Sequence, residues 1–345
     1  MKKRDIASLK IDELERLMED LGEKSFRGAQ IFQWIHQKNV DSIDEMTNLS
    51  KELREKIKNH FELNTLKIEE KYTSKIDKTT KYLFALEDNN IIESVLMHYS
   101  YGNTACISSQ VGCRMGCAFC ASTIDGLIRN LTAGEMLEQV YQIQKDSKEK
   151  VSNIVIMGSG EPLDNLDHIL LFIELINSPK GQNIGQRHIT LSTCGLVDKM
   201  YELADKKLQI TLAVSLHAPN DDIRRKMMPI ANKYSINDLL KACHHYIEMT
   251  NRRITFEYAL IHNVNDKKEH AKELGEKLKG MLCHVNLIPM NPVKESSFRE
   301  STSSSVKDFM DILQSYGIQT TVRRKLGSDI DAACGQLRRR YLEKN

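Results

Sequence analysis

Three cysteines within eight residues, Cys113-Arg-Met-Gly-Cys117-Ala-Phe-Cys120, constrain this chain more than any other stretch. Cuboidal iron–sulfur clusters are held by cysteine thiolates, as a rule four of them. Three closely spaced thiols with no fourth in register therefore predict a cluster with one iron left open to chelate a small molecule. Structural zinc is the competing reading. A closed zinc site takes four protein ligands, usually completed by a second Cys pair or a His pair. The remaining cysteines, Cys106, Cys194, Cys243, Cys283 and Cys334, stand singly. The spacing favours the open cluster.

At 345 residues the chain is long enough for one large or two to three small domains with an ample core. The start, Met1-Lys-Lys-Arg-Asp, is basic but no apolar stretch follows it, so it does not read as a signal peptide. No apolar run reaches bilayer-spanning length. These features predict a cytoplasmic protein whose cysteines are thiols or ligands rather than disulfides. A net charge of +2 says nothing about nucleic acid by itself. From Val322 to Asn345, however, seven Lys or Arg face three acids. That is a patch suited to phosphates or simply a solvated tail.

Taken in order, residues 1–62 read as a helical accessory domain. Ile11, Leu14, Leu17, Met18 and Leu21 recur at helical spacing before Gly22, and Ser50 is placed to cap a third helix. Residues 63–100 change to strand period, with a turn at Asp88-Asn-Asn joining two of the strands. Within the last of them Glu93 interrupts an apolar run. It reads either as a residue on the solvated face of an edge strand or as a catalytic carboxylate. From 101 to 325 strands and helices alternate, beginning with the capping box Thr132-Ala-Gly-Glu135. This pattern predicts an α/β fold with a parallel sheet curled into a partial barrel. Residues 326–345 form a loop and basic tail carrying Cys334.

In such barrels the active site gathers at the carboxyl ends of the strands. Those ends run into Gly158-Ser-Gly160-Glu161-Pro162, Ser192-Thr193, Ser215-Leu216-His217 and Pro289-Met-Asn291-Pro292. Any one of these is ordinary turn chemistry. Four beside a cluster motif predict a polar ligand over the barrel mouth. Gly158-Ser-Gly160 fails as a dinucleotide fingerprint, because the third glycine would fall at Leu163. His244 and His245 lie off the apolar stripe of their helix and read as solvent-facing. Cys106 stands at the end of the strand leading into the motif. Cys334 lies in a small-residue segment, and catalytic and structural readings of it both stand.

Taken together, Cys106-Ile-Ser-Ser-Gln-Val-Gly-Cys113, the cluster motif, Gly160-Glu161-Pro162, Ser215-Leu-His-Ala-Pro219 and Asp331-Ala-Ala-Cys334-Gly-Gln-Leu337 resemble the RlmN/Cfr family of radical-SAM RNA methyltransferases. The resemblance includes Phe26-Arg-Gly-Ala-Gln-Ile-Phe-Gln-Trp34 and runs over nearly the whole chain. Pro162 inclines it toward the RlmN branch. The resemblance implies a radical-SAM partial barrel with a small β-hairpin extension, a [4Fe–4S] cluster on Cys113, Cys117 and Cys120, and S-adenosyl-L-methionine (SAM) on the open iron. It implies SAM contacts from Gly160, Glu161, Ser192, Ser215, Leu216, His217 and Asn291. One SAM would methylate the thiol of Cys334, and a second would be split to a 5′-deoxyadenosyl radical that activates that methyl for attack on adenine C2. Glu93 would remove the C2 proton, and Cys106 would form a disulfide with Cys334 to free the RNA.

The expected substrates are an adenosine of 23S rRNA and the adenosine beside the anticodon of certain tRNAs. The expected electron donor is a flavodoxin or ferredoxin, and the expected state is a monomer off the membrane. Cfr-type methylation at C8 is the near alternative. A radical-SAM enzyme for a peptide and a zinc-bearing RNA-binding module are more distant ones.

Overall fold

The computed structural model describes residues 3–290 and 298–330. Two short strands, β1 (Arg4–Asp5) and β2 (Phe61–Glu62), pair in parallel and bracket three helices. These are α1 (Ile11–Asp20), α2 (Phe26–His36) and α3 (Lys51–His60). Ser50 does cap α3, its hydroxyl accepting from the Leu53 amide at 3.1 Å. The inward side chains of this module, among them Leu14, Met18, Phe32, Ile35, Leu53 and Ile57, belong to one continuous apolar core shared with the rest of the chain.

Next come β3 (Lys67–Thr73), β4 (Thr80–Ala85), β5 (Ile91–Tyr99) and β6 (Gly102–Cys106), each antiparallel to the one before it. The turn between β4 and β5 is closed by the Leu86 amide donating to the Asn90 carbonyl at 2.9 Å. Beyond β6 a separate hairpin forms from β7 (Gln110–Gly112) and β8 (Leu127–Asn130). Periodicity did not predict it, since four residues Leu-Ile-Arg-Asn alternate too briefly to read as a strand. The hairpin exists because the loop between its strands is pinned to itself, as described below.

Strand and helix then alternate through α4 (Ala133–Ser147), β9 (Val151–Ile156), α5 (Leu166–Asn177), β10 (Ile189–Thr193), α6 (Val197–Asp205) and β11 (Thr211–Ser215). They continue through α7 (Asp221–Met227), α8 (Ile236–Thr250), β12 (Ile254–Leu260), α9 (Lys268–Leu278), β13 (Cys283–Pro289), α10 (Ser303–Ser315) and β14 (Gln319–Val322). Thr132 and Glu135 complete the expected capping box at α4. The ten sheet strands follow the order β14-β13-β12-β11-β10-β9-β6-β5-β4-β3. From β6 to β14 every pairing is parallel, and the two ends of the order do not meet. This is the α/β partial barrel expected, with the antiparallel strands extending the same sheet.

The topology corrects one reading. Glu93 does not lie on the solvated face of an edge strand: β5 runs between β4 and β6, and Glu93 is only 5 % exposed. Among the described residues, no helix is long and apolar enough to cross a membrane.

Candidate functional site

Alternation along the parallel strands divides the sheet into two faces. Ala105, Ile154, Leu191, Leu212, Phe256 and Val285 point one way and are buried in the common core, against the helices. The residues between them point into the barrel. Register sets these in rows: Val95, Cys106, Val155, Thr190 and Thr211 form one, crossing from β5 to β11. Ser192, Ala213, Thr255 and His284 form the next, and Ser215, Glu257, Asn286 and Thr321 the one nearest the carboxyl ends. The lumen is thus lined by small and polar side chains, although each strand is apolar on its other face. Glu257 is buried there with its carboxylate accepting from Asn286 Nδ2 at 2.9 Å, and burial raises its pKa.

The cysteine loop hangs between β7 and β8 at the same end. Gly112 has φ +76°, and a Cβ on it would meet the Gly126 carbonyl oxygen at 2.0 Å. The Cys113 amide donates to that carbonyl at 2.9 Å, so the loop closes tightly only with glycine before the first cysteine. The Thr123 hydroxyl donates to the Cys120 carbonyl at 2.9 Å. The Ala118 amide donates to the Met227 carbonyl at 2.9 Å, tying the loop to the end of α7. Cys113 and Cys117 are buried, while Cys120 is half-buried.

Burial pushes the Cys113 thiol up to about 12, and the neighbouring Cys120, Glu161 and Asp164 push the same way. Cys117 is raised for the same reasons, burial first and then the two other thiols. Cys117 and Cys120 share one apolar cluster, and the raised thiols of Cys113 and Cys117 disfavour free thiolates and suit a cationic iron cluster. Among the described residues no three His, Cys, Asp or Glu side chains converge on one ion, Cys113, Cys117 and Cys120 included.

The predicted mouth residues cluster around this loop. Gly160 has φ +110°, and a Cβ there would stand 2.6 Å from Gln110 Cβ and 2.8 Å from the Gln110 amide. Glu161 is 3 % exposed and bridges two strand ends. Its carboxylate accepts from the Cys194 amide at 2.7 Å and the Leu163 amide at 3.1 Å, and its own amide donates to Gln110 Oε1 at 2.8 Å. Burial raises the Glu161 pKa against those hydrogen bonds. Ser192 and Ser215 line the lumen half-buried, and Leu216 is fully covered.

His217 takes a left-handed backbone at φ +55°. Its Nδ1 accepts from the Ala259 amide at 2.9 Å, which leaves the ring proton on Nε2. The Phe119 ring, from within the cysteine motif, meets the imidazole edge-on at 4.8 Å. Burial, with Arg224 second, pulls the His217 pKa down to about 3, so the ring is neutral.

Arg224 is the residue that motif reading missed. It is fully buried on α7, and it donates to the carbonyls of Cys194 at 2.7 Å, Leu216 at 3.2 Å and Ser215 at 3.3 Å. One guanidinium thereby clamps the carboxyl ends of β10 and β11, while its Nη1 is buried without a partner among the described residues. Its only sequence signal is position: an arginine one turn into a short charged helix after the Ser215-Leu-His motif.

Cys106 and Glu93 share the inner face. Cys106 is the register partner of Val95, so Glu93 stands diagonally across from it, within reach of a common reactant. Cys106 packs with Val95, Met97 and Met157 and with Leu326 from the C-terminal segment. That segment is fastened beside them, the Gly327 amide donating to Asp77 at 2.8 Å and the Lys75 amide to Asp329 at 2.9 Å. Asn291 and Cys334 lie outside the described residues.

Comparison with known proteins places these features in a family. Residues 4–63 match the model of the ribosomal RNA large subunit methyltransferase N-terminal domain, and residues 107–274 match that of the radical SAM superfamily. A protein from Clostridium novyi (strain NT), named "Probable dual-specificity RNA methyltransferase RlmN", is 55% identical over 342 residues. The alignment covers 99% of this chain and 100% of that protein. One of the same name from Alkaliphilus oremlandii (strain OhILAs) is 57% identical over 343 residues, with 99% and 100% covered. Among solved structures, a radical SAM methyltransferase from Sphaerobacter thermophilus superposes with a TM-score of 0.92 at 42% identity, covering 96% of this chain and 98% of that one.

Proposed function

The chain belongs to the RlmN family of radical-SAM RNA methyltransferases, with a [4Fe–4S] cluster and SAM as its cofactors, and from that premise we propose that it methylates adenine at C2. The substrates are a specific adenosine of 23S rRNA and the adenosine 3′ to the anticodon in certain tRNAs. It works in the cytoplasm, as a monomer, with electrons from a flavodoxin or ferredoxin.

Cys113, Cys117 and Cys120 hold the cluster, and the fit rests on the donor set: two buried thiols, Cys113 and Cys117, both raised first by burial, with half-buried Cys120 beside them on the same pinned loop. Gly160, Glu161, Ser192, Ser215, Leu216, His217 and Asn291 hold SAM over the lumen. When bound, the two together would supply a 5′-deoxyadenosyl radical and take back one electron once adenine C2 has been substituted. The residues then divide the work. Gly160 lets the Gln110 backbone pack against the mouth, because Gln110 fills the place a Cβ would take. Neutral His217 presents an Nε2–H donor, held in that tautomer by the Ala259 amide. Arg224 keeps Ser215 and Leu216 in place by their carbonyls.

Cys334 carries the methyl group as a thioether; one hydrogen atom of that methyl would pass to the radical, and the carbon left behind bonds to adenine C2. Glu93 accepts the proton lost from C2. The Cys106 thiolate then attacks the Cys334 sulfur. A disulfide forms, the sulfur–carbon bond breaks with its electron pair on carbon, and that carbon takes a proton to become the methyl of the product.

The observation carrying this reading is the shared inner face of Glu93 and Cys106, over which Leu326 leads the chain toward Cys334. Cys334 follows Ile330 by four residues, a covalent reach of roughly 14 Å. Nucleoside mass analysis of rRNA and tRNA from cells with and without the protein tests the function. The expected product is 2-methyladenosine that disappears with the protein. Finding 8-methyladenosine, or no change in either RNA, overturns the reading. In the purified enzyme, Cys334→Ala abolishes methyl transfer. Cys106→Ala accumulates a protein–RNA adduct that collapses on nuclease treatment.

A further inference from the structure

The mechanism above gives no work to Lys81, which sits beside its base. Lys81 is fully buried on β4, and its Nζ lies 3.5 Å from Oε2 of Glu93 on β5. Register explains the meeting. Lys81 opposes Val95 and Leu83 opposes Glu93, so lysine and glutamate are diagonal neighbours on the inner face. Around them Leu83 and Ile91 form a small apolar cluster with Tyr72 and Ala85. Stripping an ammonium of water in such a setting costs several kcal/mol, and well-packed apolar residues generally stabilise a site as much as a buried ion pair does. Stability alone is thus a weak reason for a lysine there.

We propose that Lys81 is a positioning residue, holding the Glu93 carboxylate aimed into the lumen to accept the proton from adenine C2. The inference rests on the reading of Glu93 as that acceptor. Three facts support it. The pair is closed to water, so the lysine rather than solvent fixes the direction of the carboxylate. Glu93 is fixed from behind, its carbonyl accepting from the Ser108 hydroxyl at 2.7 Å, with the Ser108 amide held by Gln139 Oε1 at 2.8 Å. Cys106, the proposed resolving thiol, lies diagonally opposite on the other side of Glu93. Lysine and cysteine thus flank the carboxylate from β4 and β6. In the step itself the proton passes to Glu93, the C–H electron pair stays with the ring, and the one odd electron left by the carbon addition would return to the cluster; Lys81 changes neither its bonds nor its charge.

The test uses the full-length reconstituted enzyme with an RNA substrate. Lys81→Met is compared with Lys81→Arg and Glu93→Gln, after iron content and thermal midpoint are read for each. Lys81→Met should methylate Cys334 and cleave SAM, yet accumulate the protein–RNA adduct and release methylated RNA about 100-fold more slowly, the scale of a lost general base. Lys81→Arg should restore release to within roughly tenfold of the parent, because charge rather than shape is what the site needs. Where Lys81→Met does not fold, Lys81→Gln, uncharged but able to donate, carries the same comparison. Unchanged release in the uncharged variant, or an arginine variant no better than it, overturns the inference. A blocked Glu93→Gln beside a normal Lys81→Met sinks Lys81 alone. A fully active Glu93→Gln sinks the reading of Glu93 itself.

Discussion

Single residues at this site act mainly by holding backbone in place. Gly112 is a case in point, since any side chain would collide with the carbonyl that receives the Cys113 amide. Gly112→Ala adds strain of about 1–3 kcal/mol at a left-handed position. The expected outcome is a folded chain that retains much less iron after reconstitution, read by iron and sulfide analysis. Gly160→Ala should instead keep its iron and lose SAM affinity, because its clash is with Gln110 at the mouth. Arg224 acts by a different principle. Its bonds to the Cys194 and Leu216 carbonyls are buried, so removing the guanidinium takes a donor from each and leaves a cavity. Arg224→Met should cost about 3 kcal/mol or more in denaturant unfolding. A loss under 1 kcal/mol would mean that the clamp is slack.

Elements meet through buried polar contacts as well as apolar ones. His36 of α2 is wholly buried, with its Nδ1 2.8 Å from the Tyr141 hydroxyl of α4, and it joins the N-terminal helices to the barrel. Burial pulls its pKa from 6.5 down to about 3. An imidazole that accepts a proton more readily in the unfolded chain stabilises the fold fully above about 6.5, and that contribution is lost as pH falls from there toward 3. The loss runs at about 1.4 kcal/mol per pH unit. His217 behaves alike. Asp5 and Glu138 are raised by burial to about 6 and about 7, and their effect has the opposite sign, weakening the fold as pH rises toward those values. The clean measurement is therefore a difference. Thermal midpoints of the parent and His36→Gln, taken between pH 7 and pH 4, should converge on acidification. Parallel curves would show that His36 is protonated within the fold.

At the scale of the whole molecule, one continuous core joins the helical start, the antiparallel strands and the barrel. The C-terminal segment is attached differently, by the amides of Gly327 and Lys75 on Asp77 and Asp329 and by the packing of Leu326 over Cys106. Asp77→Ala should loosen that attachment by about 1 kcal/mol. The expected readouts are faster tryptic cleavage after Arg323, Arg324 or Lys325 and a slowing of the methylation proposed for Cys334, with the thermal midpoint nearly unchanged. What could be read from the chain alone was whatever depends on near neighbours. The spacing of Cys113, Cys117 and Cys120, the cap at Ser50, the Thr132 box and the two-residue alternation of each strand are local, because a helix turn, a cap or a pleat involves only residues a few positions apart. Family resemblance extended that reading to the mouth motifs. Tertiary structure alone decided which separate stretches meet. Glu93 is buried rather than solvated because β6 pairs along the outer side of β5, and Lys81 reaches it only through the β4–β5 register. Arg224 binds carbonyls at Cys194, Ser215 and Leu216 because two parallel strands end side by side beneath α7. Such contacts depend on strand order and on the exclusion of water, and both arise only when the entire sheet closes over its core.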